Sequence, residues 1–581
     1  MVDQAVATAA PPQPLAPAAP HESDTDPAWW RNAVIYEVYI RSFADGNGDG
    51  VGDLAGVRSR LPYLRDLGVD AIWFAPWYVS PQADGGYDVA DYRAIDPTFG
   101  TLAEAEQLIA EAREHGIRTI VDIVPNHVSS QHPWFKAALA SAPGSPERAR
   151  FWFHPGRGEN GDELPTAWQS MFAGSGSAWT RTTNPDGTPG EWYLHLFTPE
   201  QPDLNWDNAD VRREHERILA FWFDRGAAGI RIDSAALLVK DPALPEVPAD
   251  TLPGRHPNTD RDELHDIYRS WRALADRYPG TRILVGEIWL QDVERFINYL
   301  RPDELHTAFN FDFLASPWEP EALRASIART LAAHEPVGAV ATWVLSNHDV
   351  TRPVTRYGRE DSSFSFAAKR PGVLADTTLG RRRARAAALL AAALPGSLYI
   401  YQGDELGLDE VTDLPAHQLR DPMYFRSGGT DPGRDGCRVP LPWSGNEAPF
   451  GFSPAGAATE PWLDQPGRWS ALTVEAQRAD PGSTLNLYRA ALRIRHEEAA
   501  LGDGPMRWLP ALDGVLAFER GQGFVSITNL SGSPAVLPEG ATVLLASEPM
   551  SGGALPPDTT AWLRLEHPPG EIAPVAEEER K

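Results

Sequence analysis

Eight short apolar runs, separated by amphipathic or irregular segments, set the limits on how this chain can fold. They span residues 34–39, 71–74, 119–124, 229–233, 283–289, 309–313, 343–349 and 398–402. Rich in β-branched and aromatic residues, they read as strands buried on both faces, which a parallel sheet demands. Residues 103–115 and 211–225 between them carry apolar side chains at three-to-four spacing and read as helices. The pair His115-Gly116 closes the first with a cationic residue and a glycine suited to a left-handed cap. Strand and helix in alternation, eight times over, predict an α/β fold, a (β/α)8 TIM barrel. Such a barrel alone passes roughly 250 residues, so a chain of 581 has room for little more than one barrel and a companion domain.

Two interruptions break the rhythm. Residues 128–205 are Gly/Pro/Trp-rich and too long for a loop, so they are expected to form a subdomain inserted after strand three. A second irregular stretch, 409–482, follows strand eight, and 485–501 reads as the last barrel helix. The catalytic barrel is therefore assigned to 29–127 and 206–501. From 502 to 581 the pattern changes to period-two runs such as GVLAFER and GFVSITNL, which predict a C-terminal all-β sandwich domain. The Ala/Pro-rich segment 1–28 lacks a basic start and a continuous apolar run. It reads as a disordered tail and not a signal peptide, and so points to the cytoplasm.

Composition narrows the partners. With 80 acidic against 52 basic residues and a net charge of −28, the chain is unsuited to nucleic acid or an anionic membrane surface. No run of about eighteen apolar residues exists to span a bilayer. The single cysteine, Cys437, rules out an intrachain disulfide or a multi-cysteine zinc site.

In a (β/α)8 barrel the site is built at the C-terminal ends of the strands. Here strand three ends in Asp122-Ile-Val-Pro-Asn126-His127, strand four in Arg231-Ile-Asp233, strand five in Glu287, and strand seven in Asn347-His348-Asp349. A lone aspartate after a strand is as often a helix N-cap. Several acids, an arginine and two histidines converging on one mouth need a task, because buried carboxylates are costly without one.

These motifs, DIVPNH, GIRID, VGEIW and SNHD, together with QPDLN at 201–205, resemble the α-amylase superfamily of retaining glycoside hydrolases. Within it they resemble the α-glucosidase and oligo-1,6-glucosidase branch, and the segment DRDELHDIYRSW after strand four resembles actinobacterial-type α-glucosidases. The resemblance covers about 29–501. It implies that Asp233 is the nucleophile, Glu287 the general acid/base and Asp349 the acid that grips the sugar hydroxyls. Arg231 would keep Asp233 ionised and oriented, and mutual repulsion among the carboxylates would help keep Glu287 protonated. His127 and His348 match positions that bind the sugar.

The resemblance further implies that Tyr87 of GGYDVADY stacks on the terminal glucose. Asp88 would grip the far hydroxyls, with Arg438 of RDGCRVPLPW as its partner, closing the pocket behind one glucose. Val439 and Leu441 depart conservatively from the family motif. The loop Asp45-Gly-Asn47-Gly-Asp49-Gly-Val51-Gly-Asp53 sets oxygen donors at alternate positions, like the first part of an EF-hand loop without its final glutamate. The resemblance implies a structural Ca²⁺, or Mg²⁺, held there by Asp45, Asn47, Asp49, the Val51 carbonyl and Asp53. The resemblance also implies a linkage, because in that branch a small residue directly after the nucleophile, here Ser234, goes with α-1,4 bonds. The expectation is an exo-acting retaining α-glucosidase for maltose-like sugars with transglucosylation. The alternative is a trehalose synthase or other α-glucosyltransferase running the same double displacement.

Overall fold

Apolar strands with no polar face must be covered on both sides, and the chain meets that demand by curling one parallel sheet on itself. The computed structural model describes residues 26–172, 176–184, 186–248, 251, 255–366, 372–521, 523–550 and 553–565. The tail expected over 1–28 lies, up to Thr25, outside the described residues, as does the stretch after Leu565. The barrel strands are β1 (Val34–Val38), β2 (Ala71–Phe74), β3 (Arg118–Ile123), β4 (Gly229–Ile232), β5 (Ile283–Gly286), β6 (Thr307–Ala308), β7 (Thr342–Val344) and β8 (Ser397–Tyr401). They pair in parallel in the order β6-β5-β4-β3-β2-β1-β8-β7. The Asn310 N–H donates to Thr342 O at 3.1 Å, which joins the two ends of that order and brings the sheet round into a barrel.

The sixth strand corrects the sequence reading. Residues 309–313 were expected to be extended because Phe309, Phe311 and Phe313 alternate. Instead the strand is Thr307–Ala308, and a helix runs Phe311–Ala315. Asn310 takes the N-cap position and its side chain accepts from the Phe313 N–H at 3.0 Å, so the cap outweighs the alternation. Strands five and seven also stop earlier than expected. Residues 287–289 and 345–349 have left the ladder and belong to the mouth.

The helices follow from local chemistry. Leu102–Glu114 starts at a capping box, Thr101 with Glu104, and ends before Gly116 at φ +77°. Ala209–Asp224 buries Val211, Ile218, Leu219, Trp222 and Phe223 on one face, each contributing about 1.5–3 kcal/mol. After β8 the chain runs through short helices, Pro422–Arg426 and Val474–Ala479, on either side of the segment that carries Arg434 and Arg438, then forms the helix Thr484–Glu497.

Between β3 and β4 the insertion builds a small antiparallel sheet from Phe153–His154, Pro189–Leu194 and Trp179–Thr183. The C-terminal part is a five-stranded antiparallel sheet with a separate two-stranded ribbon. It docks on the barrel helix Thr377–Ala393, where Trp562 Nε1 donates to Leu389 O at 3.1 Å and Thr560 Oγ1 to Ala386 O at 2.8 Å. No helix among the described residues is long and apolar enough to cross a membrane.

Candidate active site

Arg231 is the centre of the barrel mouth. It sits inside β4, 1 % exposed, with its guanidinium 4.9 Å from the centre of the Trp73 ring. A buried cation must be neutralised, and three carboxylates do so. Nη1 donates to Asp122 at 3.0 Å and to Asp233 at 2.9 Å, and Nη2 donates to Glu287 at 2.6 Å.

Asp233 and Glu287 stand just past their strands, tied by backbone bonds from Asp233 N to Ile123 O and from Glu287 N to Ile232 O, both 2.9 Å. Ser234 takes a positive φ of 47°, a strained conformation for a non-glycine residue. That turn lets its N–H donate to Glu287 Oε2 at 3.0 Å. The other oxygen, Oε1, accepts from Trp289 Nε1 at 3.0 Å.

Asp349 faces them from the loop after β7. It accepts from Arg438 Nη2 at 2.6 Å and Arg434 Nη1 at 3.1 Å, and lies 3.4 Å from His348 Nε2. His348 is sandwiched between the rings of Tyr87 (5.2 Å, 9°) and Tyr39 (5.8 Å, 11°). Tyr87 Oη donates to Asp122 at 3.0 Å. His127 Nε2 lies 3.0 Å from both Tyr87 O and Gln201 Nε2.

These side chains surround one cavity of about 1670 Å³. Asp84, Tyr87, Asp233, Glu287, Asp349 and Arg434 line it, while Trp289, Phe364 and Phe366 form an aromatic wall beyond Glu287.

Burial decides the acid–base state. It pushes the Glu287 carboxyl up to about 7; Arg231 opposes, and Asp233 and Asp349 add to the rise. Asp233 is pushed up to about 6, again chiefly by burial and against Arg231. Repulsion among the acids is thus the smaller cause of the rise. For Asp349 burial is overcome: the His348 ring and the Arg434 and Arg438 guanidiniums hold it well below the usual carboxylate range.

The expected pair of Asp88 with Arg438 does not form. Asp88 is fully buried and accepts from Ser80 Oγ (2.9 Å), Ala83 N (3.0 Å) and Asp84 N (3.1 Å). Its carboxylate organises the loop and leaves Asp84 to point at the cavity. Arg438 lies beneath, with Nε donating to His348 O at 2.8 Å. The ion pair that lines the cavity here is Asp84 with Arg434, at 2.5 Å. Both were within reach of sequence reasoning: Asp84 stands three residues before Tyr87, and Arg434 opens the RDGCR motif. Gln201 of QPDLN was also unassigned; its Nε2 donates to Asp84 at 3.1 Å. Cys437 is buried, with its thiol near His348 O and Arg434 O.

The loop from Asp45 to Asp53 offers hard oxygen donors suited to a divalent cation. Its carboxylates already accept backbone N–H groups, Asp45 from Gly50 at 2.9 Å and Asp53 from Gly46 at 3.1 Å, and Asp53 also caps the helix Leu54–Ser59. No group of three or more His, Cys, Asp or Glu side chains is drawn together for a metal among the described residues. The fit is therefore one of donor chemistry alone.

Comparison with known proteins agrees with this architecture. The alpha amylase catalytic-domain family matches residues 37–504. Trehalose-6-phosphate hydrolase of Escherichia coli (strain K12) is 37% identical over 543 residues, covering 87% of this chain and 91% of its own. Oligo-1,6-glucosidase of Heyndrickxia coagulans is 34% identical over 514 residues, covering 82% and 86%. Among solved structures, the alpha-glucosyl transfer enzyme XgtA superposes with a TM-score of 0.79 at 34% identity, over 92% of this chain and 99% of that one. A barrel with these acids at its mouth and relatives of this closeness leaves one conclusion: the chain is an enzyme of the α-amylase family of glycoside hydrolases.

Proposed function

We propose that the protein is an exo-acting, retaining α-glucosidase for maltose-like disaccharides and short α-1,4 oligosaccharides. The observation that carries this is Arg231, whose one guanidinium holds both Asp233 and Glu287. A nucleophile and an acid/base held that close suit retention through a covalent intermediate, which needs the carboxyls about 5–5.5 Å apart. Asp233 attacks the anomeric carbon and forms a glucosyl ester as Glu287 gives its proton to the departing oxygen. Glu287 then takes a proton from water, or from a sugar hydroxyl in transglucosylation, as the ester opens. Asp349, kept ionised by Arg434 and Arg438, holds the hydroxyls next to the reacting carbon. Asp84 and Arg434 close the pocket behind a single glucose, which supports exo action; His127 and Tyr87 line the same cavity, and His348 lies buried against the Tyr87 ring.

A transferase reading is favoured by the likeness to XgtA. It keeps every step up to the ester and excludes water afterwards. We also assign a structural Ca²⁺ or Mg²⁺ to Asp45, Asn47, Asp49, Asp53 and the Val51 carbonyl; it would tie the loop ahead of the helix Leu54–Ser59 and take no part in the chemistry.

The test is proton NMR of the protein in concentrated maltose from the first minutes. Early α-glucose, with longer oligosaccharides later, is the expected result. Trehalose accumulating with little glucose would move the case to the transferase. No turnover of maltose, with turnover of another α-glucoside, would overturn the substrate and leave the mechanism.

A further inference from the structure

Inside β1, where a barrel strand should be apolar, stands a carboxyl that the reaction above does not use. Glu37 is 1 % exposed and lies between Tyr36 and Val38, both fully buried. Its Oε1 makes a short contact with His348 Nδ1, and its carboxylate also meets the His348 backbone N–H. The other ring nitrogen, Nε2, is buried without a hydrogen-bond partner and stands 3.4 Å from Asp349 Oδ1.

We propose that Glu37 is a positioning residue that carries a proton and donates it in a hydrogen bond to His348 Nδ1, so that His348 presents Nε2–H to Asp349 and acts on the sugar through that carboxylate. The role assigned to the sugar rests on the α-glucosidase reading; the tautomer does not.

The geometry argues the proton's place. Asp349 is held ionised by Arg434 and Arg438, so a lone pair on Nε2 would face an anion, whereas an N–H is attracted to it. Neutral imidazole carries one hydrogen, so with Nε2 as donor Nδ1 must accept. A partner that donates to Nδ1 has to bring its own hydrogen, and Glu37 can do so only when protonated. A doubly protonated ring is disfavoured first by burial and then by the guanidiniums of Arg438, Arg231 and Arg434, which together outweigh the attraction of Asp349. Burial agrees on both sides, raising the Glu37 carboxyl well above its ordinary range and lowering the His348 ring to about 3.

Tyr87 and Tyr39 stack on the two faces of the ring, and Arg438 Nε and the Cys437 thiol bond to its carbonyl. Orientation is thus fixed by the stack and the backbone, which leaves the proton's position to Glu37.

The test compares Glu37→Gln with Glu37→Leu. An amide can donate to Nδ1 without titrating, so Glu37→Gln is expected to keep kcat/KM within about threefold. Glu37→Leu removes the donor and is expected to lose on the order of 10–100-fold, the range seen when a metal-bound histidine loses its orienting partner. Nitrogen-15 NMR of histidine-labelled protein, with the His348 signal assigned by its absence in His348→Asn, reads the tautomer directly. Nε2–H in the wild type and in Glu37→Gln is the expected result. An Nδ1–H ring or an imidazolium in the wild type at neutral pH overturns the proposal. So does a Glu37→Gln variant as impaired as Glu37→Leu, or a Glu37→Leu variant unchanged in both readouts. If Glu37→Leu does not fold, the wild-type and Glu37→Gln spectra still decide. Failure to cleave any α-glucoside with the tautomer as stated would sink the functional reading and leave the role of Glu37 standing.

Discussion

The guanidinium of Arg434 touches Asp84 at 2.5 Å, and the same group reaches Asp349 at 3.1 Å, so one cation joins two carboxylates of the cavity wall that lie 265 residues apart in the chain. Removing it with Arg434→Ala takes a shared partner from three carboxylates, Asp84, Asp349 and the buried Asp421, whose Oδ2 accepts from Arg434 Nε at 2.6 Å. Breaking a buried pair from one side costs about 3–5 kcal/mol, part of which falls on substrate binding. Steady-state kinetics on maltose should show kcat/KM down by on the order of 10²-fold or more. Asp88→Asn should mainly lower the melting temperature, because Asp88 holds its own loop and not the sugar. An Arg434→Ala enzyme with ordinary kcat/KM would remove the pair from the glucose site.

In the proposed mechanism the two acids bridged by Arg231 have different tasks, so their variants should fail differently. Asp233→Asn should lose on the order of 10⁴-fold or more in turnover through loss of covalent catalysis. Glu287→Gln should recover much of its first step with substrates whose leaving group needs no proton, such as aryl glucosides with acidic phenols. Equal damage with every leaving group would argue against the acid role.

The pH profile follows from burial. Asp233 must be ionised, and with its carboxyl raised to about 6 activity is lost as pH falls through that value. Glu287 must hold a proton, and with its carboxyl raised to about 7 activity is lost as pH rises through 7. A narrow bell in kcat/KM between these limits is expected. Both groups bind protons more readily in the folded state than at their unfolded values of about 4, so they lower stability as pH climbs from about 4 towards 7. A broad plateau from pH 4 to 9 would contradict the assignment.

The barrel and the gathering of Asp233, Glu287 and Asp349 at its mouth are legible in the sequence because both rest on local signals. Continuous apolar runs mark strands buried on two faces, and acids at their ends mark the mouth. What the sequence left unread is contact across the fold. Asp88 and Arg438 look like a pair because each is charged and lies in a motif, yet only folding decides that Asp88 turns inward to Ser80 while Asp84 turns out. The sixth strand was misread because alternating phenylalanines imitate a strand, and Asn310, one residue, starts a helix instead. Glu37 gave no signal in β1 beyond being a charge in an apolar run, and its partner is 311 residues away.

The metal assignment is tested by stability. A cation that binds only the folded loop stabilises by about 2.7 kcal/mol when its free concentration is 100 times its Kd. The melting temperature in millimolar Ca²⁺ should therefore exceed that in a chelator by several degrees, and Asp45→Ala should erase the difference without abolishing activity. Equal melting temperatures with Ca²⁺, Mg²⁺ and chelator would end the assignment.

Lys240 links the insertion to the barrel, and its loss should separate folding from chemistry. Its ammonium is fully buried and lies 2.8 Å from Asp203 of the insertion, 2.6 Å from Asn126 Oδ1 after β3 and 2.8 Å from Leu237 O. Asn126 in turn meets His127 Nδ1 at 3.1 Å, so the same contact steadies a ring that lines the cavity. Lys240→Met fills most of the volume but leaves Asp203 buried and unpaired, which should destabilise by about 3–5 kcal/mol. The double variant Lys240→Met/Asp203→Asn removes both charges and should recover part of that loss, since the penalty comes from the orphaned carboxylate and not from the missing contact. Denaturant melts of the wild type, Lys240→Met, Asp203→Asn and the double variant measure the coupling. If the double variant is no more stable than Lys240→Met alone, the pair is not what holds the insertion in place, and the bridge between His127 and Asp203 would have to carry that task.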